Sequence, residues 1–233
     1  SGKTEVYISL IQDALDTGNQ VLYLLPEIAL TAQIVNRLQV VFGHRMGIYH
    51  SKFSDNERVE VWHGLLEGRF DFIIGVRSAI FLPFKQLGLI IVDESHENSY
   101  KQFDPAPRYH ARDVAVYLAH LHQGKTLLGS ATPSLESYTN ALQGKYGLVE
   151  LNSRFHDAEL PDIQIADIRS EKKKKSAIGE FTSVLIEALK EVLEKGEQAI
   201  IFQNRRGFSN YLTCEDCGYI PECPRCAVSL TYH

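Results

Sequence analysis

Short apolar runs recur along the first half of the chain, at residues 21–25, 70–74, 89–92 and 126–128. Helical patterns separate them, at residues 31–42, 56–66 and 111–121. The runs are Val-, Ile- and Leu-rich and show no polar alternation, which is the mark of strands buried on both faces. Strands alternating with helices in this way predict an α/β fold with a parallel sheet and helices on both faces. Ligands of such sheets bind at the carboxyl ends of the strands. Those ends carry Pro26-Glu27, Gly75-Val76-Arg77, Asp93-Glu94 and Gly129-Ser130.

The size of the chain agrees with such a sheet. Its 233 residues, 44% apolar and 23% charged, can bury one sizeable core or two modest ones, which excludes a disordered chain and a disulfide-stapled miniature. Lys plus Arg number 24 and Asp plus Glu 29, a net charge of −5. Any nucleic-acid contact must therefore come from a local basic face. The longest apolar stretch, residues 21–35, is broken by Pro26 and Glu27, so no run reaches the roughly 20 residues of a membrane span. No membrane partner is expected. The four cysteines cluster near the end as two C-x-x-C pairs, a pattern of metal binding in a reducing compartment, so a cytoplasmic protein is expected.

A polar stretch with Pro161 follows the last strand-like run, residues 148–151, and places a domain boundary between residues 152 and 162. The expected units are 1–152, 153–212 and a cysteine module at 213–233. In the second unit, residues 172–175 form a lysine run read as a solvated loop. Residues 181–195 form an amphipathic helix closed by Gly196, and residues 198–202 a buried type of strand.

Ser1-Gly2-Lys3-Thr4 is the tail of the phosphate loop G-x-x-x-x-G-K-[ST], and Tyr7, Leu10, Ile11, Ala14 and Leu15 continue as the helix that such a loop requires. The first glycine of the motif would lie four residues before Ser1, so the chain is read as a fragment. Lys3 supplies positive charge for the β- and γ-phosphates, and Thr4 a hydroxyl for Mg²⁺. Leu89-Ile90-Ile91-Val92 delivers Asp93 and Glu94 at the tip of a buried strand. Asp93 there suits the magnesium shell, and Glu94 suits the attacking water. Neither motif is specific alone; together, in this order, they indicate nucleotide hydrolysis. Asp93-Glu94-Ser95-His96 fits a D-E-x-H box, and Gly129 to Pro133 contains an S-A-T element, Ser130-Ala131-Thr132.

Residues 98–110 interleave Tyr100, Lys101, Phe103, Arg108 and Tyr109 with two prolines. Aromatic faces stack on unpaired bases and cations meet phosphate, so the composition suits single-stranded DNA. The competing reading is a loop whose aromatics pack beneath the sheet. Trp62 is expected to pack in the core.

Several elements then converge on one family: Leu25 to Thr31, His50-Ser51, Gly75 to Phe81, the D-E-x-H box, residues 129–135, Asn204-Arg205-Arg206-Gly207 and the Cys-x-x-Cys-Gly that follows. Together they resemble the bacterial replication-restart helicases of the PriA, or primosomal protein N′, family within superfamily 2. The resemblance implies a RecA-like P-loop ATPase domain followed by the start of a second one with a zinc-binding insertion. It implies ATP-dependent 3′–5′ DNA unwinding in fork restart and primosome assembly, with ATP and Mg²⁺ as cofactors. By this resemblance Ser1, Gly2, Lys3 and Thr4 bind nucleotide, Asp93 and Glu94 serve metal and water, and His96, Ser130 and Thr132 couple hydrolysis to movement. The 98–110 loop is expected to couple DNA binding to hydrolysis, with Arg77 and Ser78 adding DNA contacts. Ser95 stands where the family usually has Glu, a tolerable departure.

Cys214, Cys217, Cys223 and Cys226 form C-x2-C-x5-C-x2-C, a set suited to Zn²⁺. Cysteine pairs of one site are commonly about 15–20 residues apart, so the spacer is short for a single site. The resemblance implies two interleaved zinc sites completed by further cysteines. It also implies forked and single-stranded DNA, single-strand DNA-binding protein and primosome proteins as partners. The 233 residues alone are expected to be inactive. The alternatives are another superfamily 2 translocase and a non-hydrolysing, zinc-containing scaffold on DNA.

Overall fold

The computed structural model describes residues 2–50, 53–151, 161–174, 177–179, 181–202, 214, 217 and 219–222. The chain divides into two compact units, Ser1–Ala158 and Glu159–His233. The first unit is built on five strands: β1 (Gln20–Leu24), β2 (Met46–Tyr49), β3 (Phe72–Gly75), β4 (Leu87–Val92) and β5 (Lys125–Leu128). They form one parallel sheet in the order β2-β3-β1-β4-β5. The parallel sheet read from the alternation of runs is therefore present.

Helices α1 (Lys3–Asp16), α2 (Ala32–Phe42), α3 (Asp55–Leu66) and α4 (Ala111–Leu121) cover it, and α5 (Leu135–Leu142) follows β5 with no buried residue. Three of these helices start at a side-chain cap. Thr31 and Ser134 accept backbone N–H groups as N-caps, and Ser54 with Glu57 closes a capping box on α3. Alternate residues of β1 face opposite sides of the sheet. Val21 and Tyr23 pack with Tyr7, Ile11 and Leu15 of α1 and with Leu38 and Phe42 of α2. Leu22 and Leu24 pack with Val61 and Leu65 of α3 and with Ala111, Ala115 and Ala119 of α4. All five β1 residues are buried, each large apolar side chain contributing about 1.5–3 kcal/mol. With β1 flanked by β3 and β4, the ends of the three central strands meet at one edge of the sheet, where Leu25, Val76 and Asp93 begin the loops.

The second unit contains α6 (Ile168–Lys173) and α7 (Ser183–Glu194) among its described residues. Helix α7 begins at the Thr182 cap, and Gly196 follows it with φ +70°, as the expected helix requires.

Four expectations need correction. Residues 148–151 form no strand, and Val149 is 82% exposed. Residues 198–202 likewise lie outside any strand, with Ile200 and Phe202 exposed. An apolar run becomes a strand only when a ladder partner satisfies its N–H and C=O groups, and neither run has one among the described residues. Lys172 and Lys173 are not in a loop but in the last turn of α6, where cations complement the helix dipole. Trp62 is half-exposed, because α3 turns Val61, Gly64 and Leu65 to the sheet instead.

Candidate nucleotide site

Helix α1 begins at Gly2, whose φ of +70° turns the chain into the helix from a left-handed residue, a conformation in which a side chain would be strained. Lys3 and Thr4 therefore stand in the first turn, where free N–H groups point outward. At the end of β4, the Asp93 N–H donates to the Leu24 carbonyl at 3.0 Å, which locks this end to β1. Glu94 then adopts φ +44°, unusual for a residue with a side chain and typical of strain held at functional positions.

That turn brings both carboxylates to α1. The Lys3 ammonium donates to Glu94 Oε1 at 2.7 Å and lies 3.5 Å from Asp93 Oδ1. Burial alone would lower the Lys3 pKa, but the Glu94 hydrogen bond and the two negative charges outweigh it and raise it. A cation thus already offsets one of the two carboxylate charges. The Asp93 carboxylate and the Thr4 hydroxyl are hard oxygen donors of the kind Mg²⁺ prefers, so these residues fit that ion.

Asp93 is held from three more directions. Its Oδ1 accepts from the Tyr7 hydroxyl at 3.1 Å and from the Glu94 N–H at 3.0 Å, and its Oδ2 accepts from the Tyr23 hydroxyl at 3.2 Å. Burial, then the Asp93 charge, pushes both phenols up, so they stay donors. Sequence reasoning placed Tyr7 only on a helix face and Tyr23 only in a strand. The available signal was that a buried tyrosine hydroxyl needs a polar partner.

The S-A-T element lies beside the box. The Gly129 N–H donates to the Val92 carbonyl, and the Ser95 N–H donates to the Gly129 carbonyl, each at 2.9 Å. His96 Nδ1 lies 2.8 Å from Ser130 Oγ, which also accepts the Thr132 N–H at 3.0 Å. Ser95 is buried at this contact. The structure thus brings Lys3, Asp93, Glu94, His96, Ser130 and Thr132 into one connected group. Ser1 lies outside the described residues.

The 98–110 loop is divided in its roles. Phe103 is 68% exposed, and Arg108 is exposed beside it. Tyr100, by contrast, is 1% exposed, and its hydroxyl shares its one proton between the main-chain carbonyls of Asp93 at 2.6 Å and Leu24 at 3.0 Å. It is not available to stack on a base in this structure. Lys101 donates to the Arg108 carbonyl at 2.6 Å and pairs through its backbone with His110. Tyr109 packs edge-on against Phe81, centroids 4.7 Å apart. Arg77 donates to the carbonyls of Ser99 at 3.2 Å and Lys101 at 2.7 Å, so it ties the end of β3 to the loop. Ser78 is half-buried in the short 3₁₀ turn that Arg77 opens.

Cys214 and Cys217 are exposed, and the Cys214 N–H donates to the Tyr219 carbonyl at 2.8 Å. Cys223 and Cys226 lie outside the described residues, as do residues 203–207. Among the described residues no helix is long and apolar enough to cross a membrane.

The sequence is similar to known proteins along its whole length. The chain is 44% identical over all 233 residues to the replication restart protein PriA of Bacillus subtilis, covering 29% of that protein. It is 46% identical over all 233 to PriA of Chlamydia trachomatis, covering 31%. The chain thus spans about a third of the length of these relatives. A solved structure of RecG bound to a three-way DNA junction is 26% identical, with a TM-score of 0.44 over 62% of this chain and 18% of that one. The likeness to replication-restart helicases read from the motifs holds along the whole sequence, and the parallel sheet is that of a RecA-like domain. The profile of the family described as DEAD/DEAH box helicase matches residues 1–141, well over half of the chain, and the chain belongs to that family.

Proposed function

We propose that these residues are the ATP-hydrolysing part of a 3′–5′ DNA helicase that acts in replication restart and primosome assembly. The observation that carries the proposal is the convergence of Lys3, Asp93 and Glu94 within 3.5 Å at the start of α1 and the end of β4. Similarity to PriA proteins over the whole chain supports the biological setting.

The residues divide the work by their chemistry. Gly2, Lys3 and Thr4 receive the phosphates, with the Lys3 ammonium exchanging its Glu94 partner for phosphate oxygen. Glu94, released from Lys3, orients the attacking water and accepts its proton. Thr4 and Asp93 would hold Mg²⁺, which would neutralise phosphate charge. The same strand end carries His96, and its 2.8 Å contact with Ser130 passes a change at the phosphate to the S-A-T element and Thr132. On the DNA side, Phe103 and Arg108 are exposed for base stacking and phosphate contact, with Lys101 beside them. Tyr100, Tyr109, Arg77 and Ser78 serve this contact by holding the loop.

Cys214, Cys217, Cys223 and Cys226 are proposed as zinc ligands, shared between two sites with cysteines outside this sequence. Forked and single-stranded DNA, single-strand DNA-binding protein and primosome proteins are the proposed partners, in the cytoplasm. The deciding measurement is ATP hydrolysis by the full-length protein with and without single-stranded DNA. DNA-stimulated turnover lost in Lys3→Ala supports the reading. Turnover retained in Lys3→Ala would sink it.

A further inference from the structure

A carboxylate has about four acceptor sites; at Asp93 the Oδ1 pair is taken by Tyr7 and the Glu94 N–H, with the Lys3 ammonium 3.5 Å away, while Oδ2 accepts from Tyr23. The open site is on Oδ2. Rotation of the carboxyl about its own axis would break all three bonds together, so its plane and its free lone pair are fixed before any ligand arrives. The two phenol rings brace each other edge-on, centroids 5.6 Å apart. A third element makes room for them. A Cβ built on Gly129 would lie 1.8 Å from the Tyr7 hydroxyl oxygen and 3.4 Å from Asp93 Oδ1. A side chain at Gly129 would therefore drive Tyr7 off the carboxylate. Tyr7 lies one helical turn beyond Lys3 and Thr4. Helix α1 thus carries both the phosphate residues and one arm of the clamp on Asp93.

We propose that Tyr7 and Tyr23 are positioning residues that aim the Asp93 carboxylate at the divalent cation of the nucleotide site, with Gly129 conserving the space that Tyr7 needs. The inference rests on the nucleotide-site reading given above. A purely structural role, two buried hydroxyls satisfied by the nearest acceptor, would affect stability alone. Metal affinity separates the two roles, because hydrogen bonds to a metal-ligating group typically govern 10–100-fold in metal binding.

The test uses the full-length protein, a fluorescent ADP analogue and a Mg²⁺ titration, with thermal melting alongside. Tyr7→Phe and Tyr23→Phe keep the rings and remove only the hydroxyls. The Mg²⁺ concentration at half-maximal response is expected to rise about 10-fold in each. Binding of the analogue without Mg²⁺ should stay within about twofold of wild type. Gly129→Ala, which displaces Tyr7 without altering it, should shift the midpoint the same way. If any one variant fails to fold, the other two carry the test. Mg²⁺ midpoints within about twofold of wild type in the folded variants would overturn the proposal, whatever happens to melting. A wild-type protein with no Mg²⁺-dependent response would overturn the nucleotide-site reading itself, and the positioning role with it.

Discussion

In the proposed mechanism Lys3 is a single residue held in readiness by the groups it later leaves. Its 2.7 Å bond to Glu94 offsets one of two adjacent carboxylate charges, and in that proposed mechanism it keeps Glu94 from acting as a base while no phosphate is present. Glu94→Gln should therefore separate binding from hydrolysis. The amide still accepts a hydrogen bond from Lys3 but takes no proton from water. ATP turnover is expected to fall at least about 100-fold, the scale of general-base catalysis, while binding of a fluorescent ADP analogue stays within a few-fold of wild type. Equal losses in both measurements would remove Glu94 from the base role. Tyr100 makes a different point, since it lies in the loop whose aromatics suit base stacking, and its burial changes its job. One hydroxyl bonds the carbonyls of Leu24 and Asp93, so the loop grips the strand end that bears the carboxylates. Tyr100→Phe leaves both carbonyls without that donor. A loss of about 1–3 kcal/mol in denaturant-derived stability is expected. A weaker DNA stimulation of ATPase, with basal turnover retained, would show that the grip also transmits DNA binding.

At the scale of elements, α4 illustrates what close packing requires. It meets β4 and β5 through Ala111, Ala115 and Ala119, all buried, and the Ala115 carbonyl accepts from the Thr126 hydroxyl at 3.3 Å. Three small residues at helical spacing let the helix lie close to the sheet. Ala115→Leu would insert three carbons where there is no space, at a cost of about 1–3 kcal/mol. A lower urea midpoint with an unchanged slope would register it. Unaltered stability would mean that the helix shifts freely. Elements of this kind were legible in the sequence because their signals are local. The apolar runs of β1, β3, β4 and β5, the period of α1 to α4, and the ends at Gly18 and Gly196 needed no tertiary information. Met46–Tyr49 escaped because its four residues, one a glycine, make too short a run, and α5 because its eight residues span barely two turns. Residues 148–151 and 198–202 failed in the opposite sense, since their apolar character is real but a strand is made by its partner. The site divides in the same way. Lys3, Asp93, Glu94, His96 and Ser130 could be read because motifs fix their spacing. The Tyr7 and Tyr23 bonds to Asp93 span 86 and 70 residues of sequence, and no local pattern records them.

The sequence carries a net charge of −5, so the proposed DNA contact would have to be a local one, and stacking and charge can be separated experimentally. Phe103 and Arg108 are exposed on one loop, and neither side chain is among the groups bonded at the nucleotide site. Each phosphate neutralised on a single strand contributes about −0.7 to the slope of log affinity against log salt. An aromatic face stacked on a base releases no counterion and leaves that slope alone, while contributing about 1–3 kcal/mol. Arg108→Ala in the full-length protein should therefore flatten the salt dependence of single-stranded DNA binding by about 0.7. Phe103→Ala should weaken binding roughly 5–150-fold, the equivalent of one stacked base, with the slope unchanged. Fluorescence anisotropy of a labelled oligonucleotide at four or five salt concentrations measures both quantities. Basal ATPase should survive each substitution, because the loop's link to Asp93 runs through Tyr100 and its link to β3 through Arg77, both of which remain. If both variants bind DNA as wild type does at every salt concentration, the DNA lies elsewhere on the molecule, and the 98–110 loop keeps only its internal grip on the sheet.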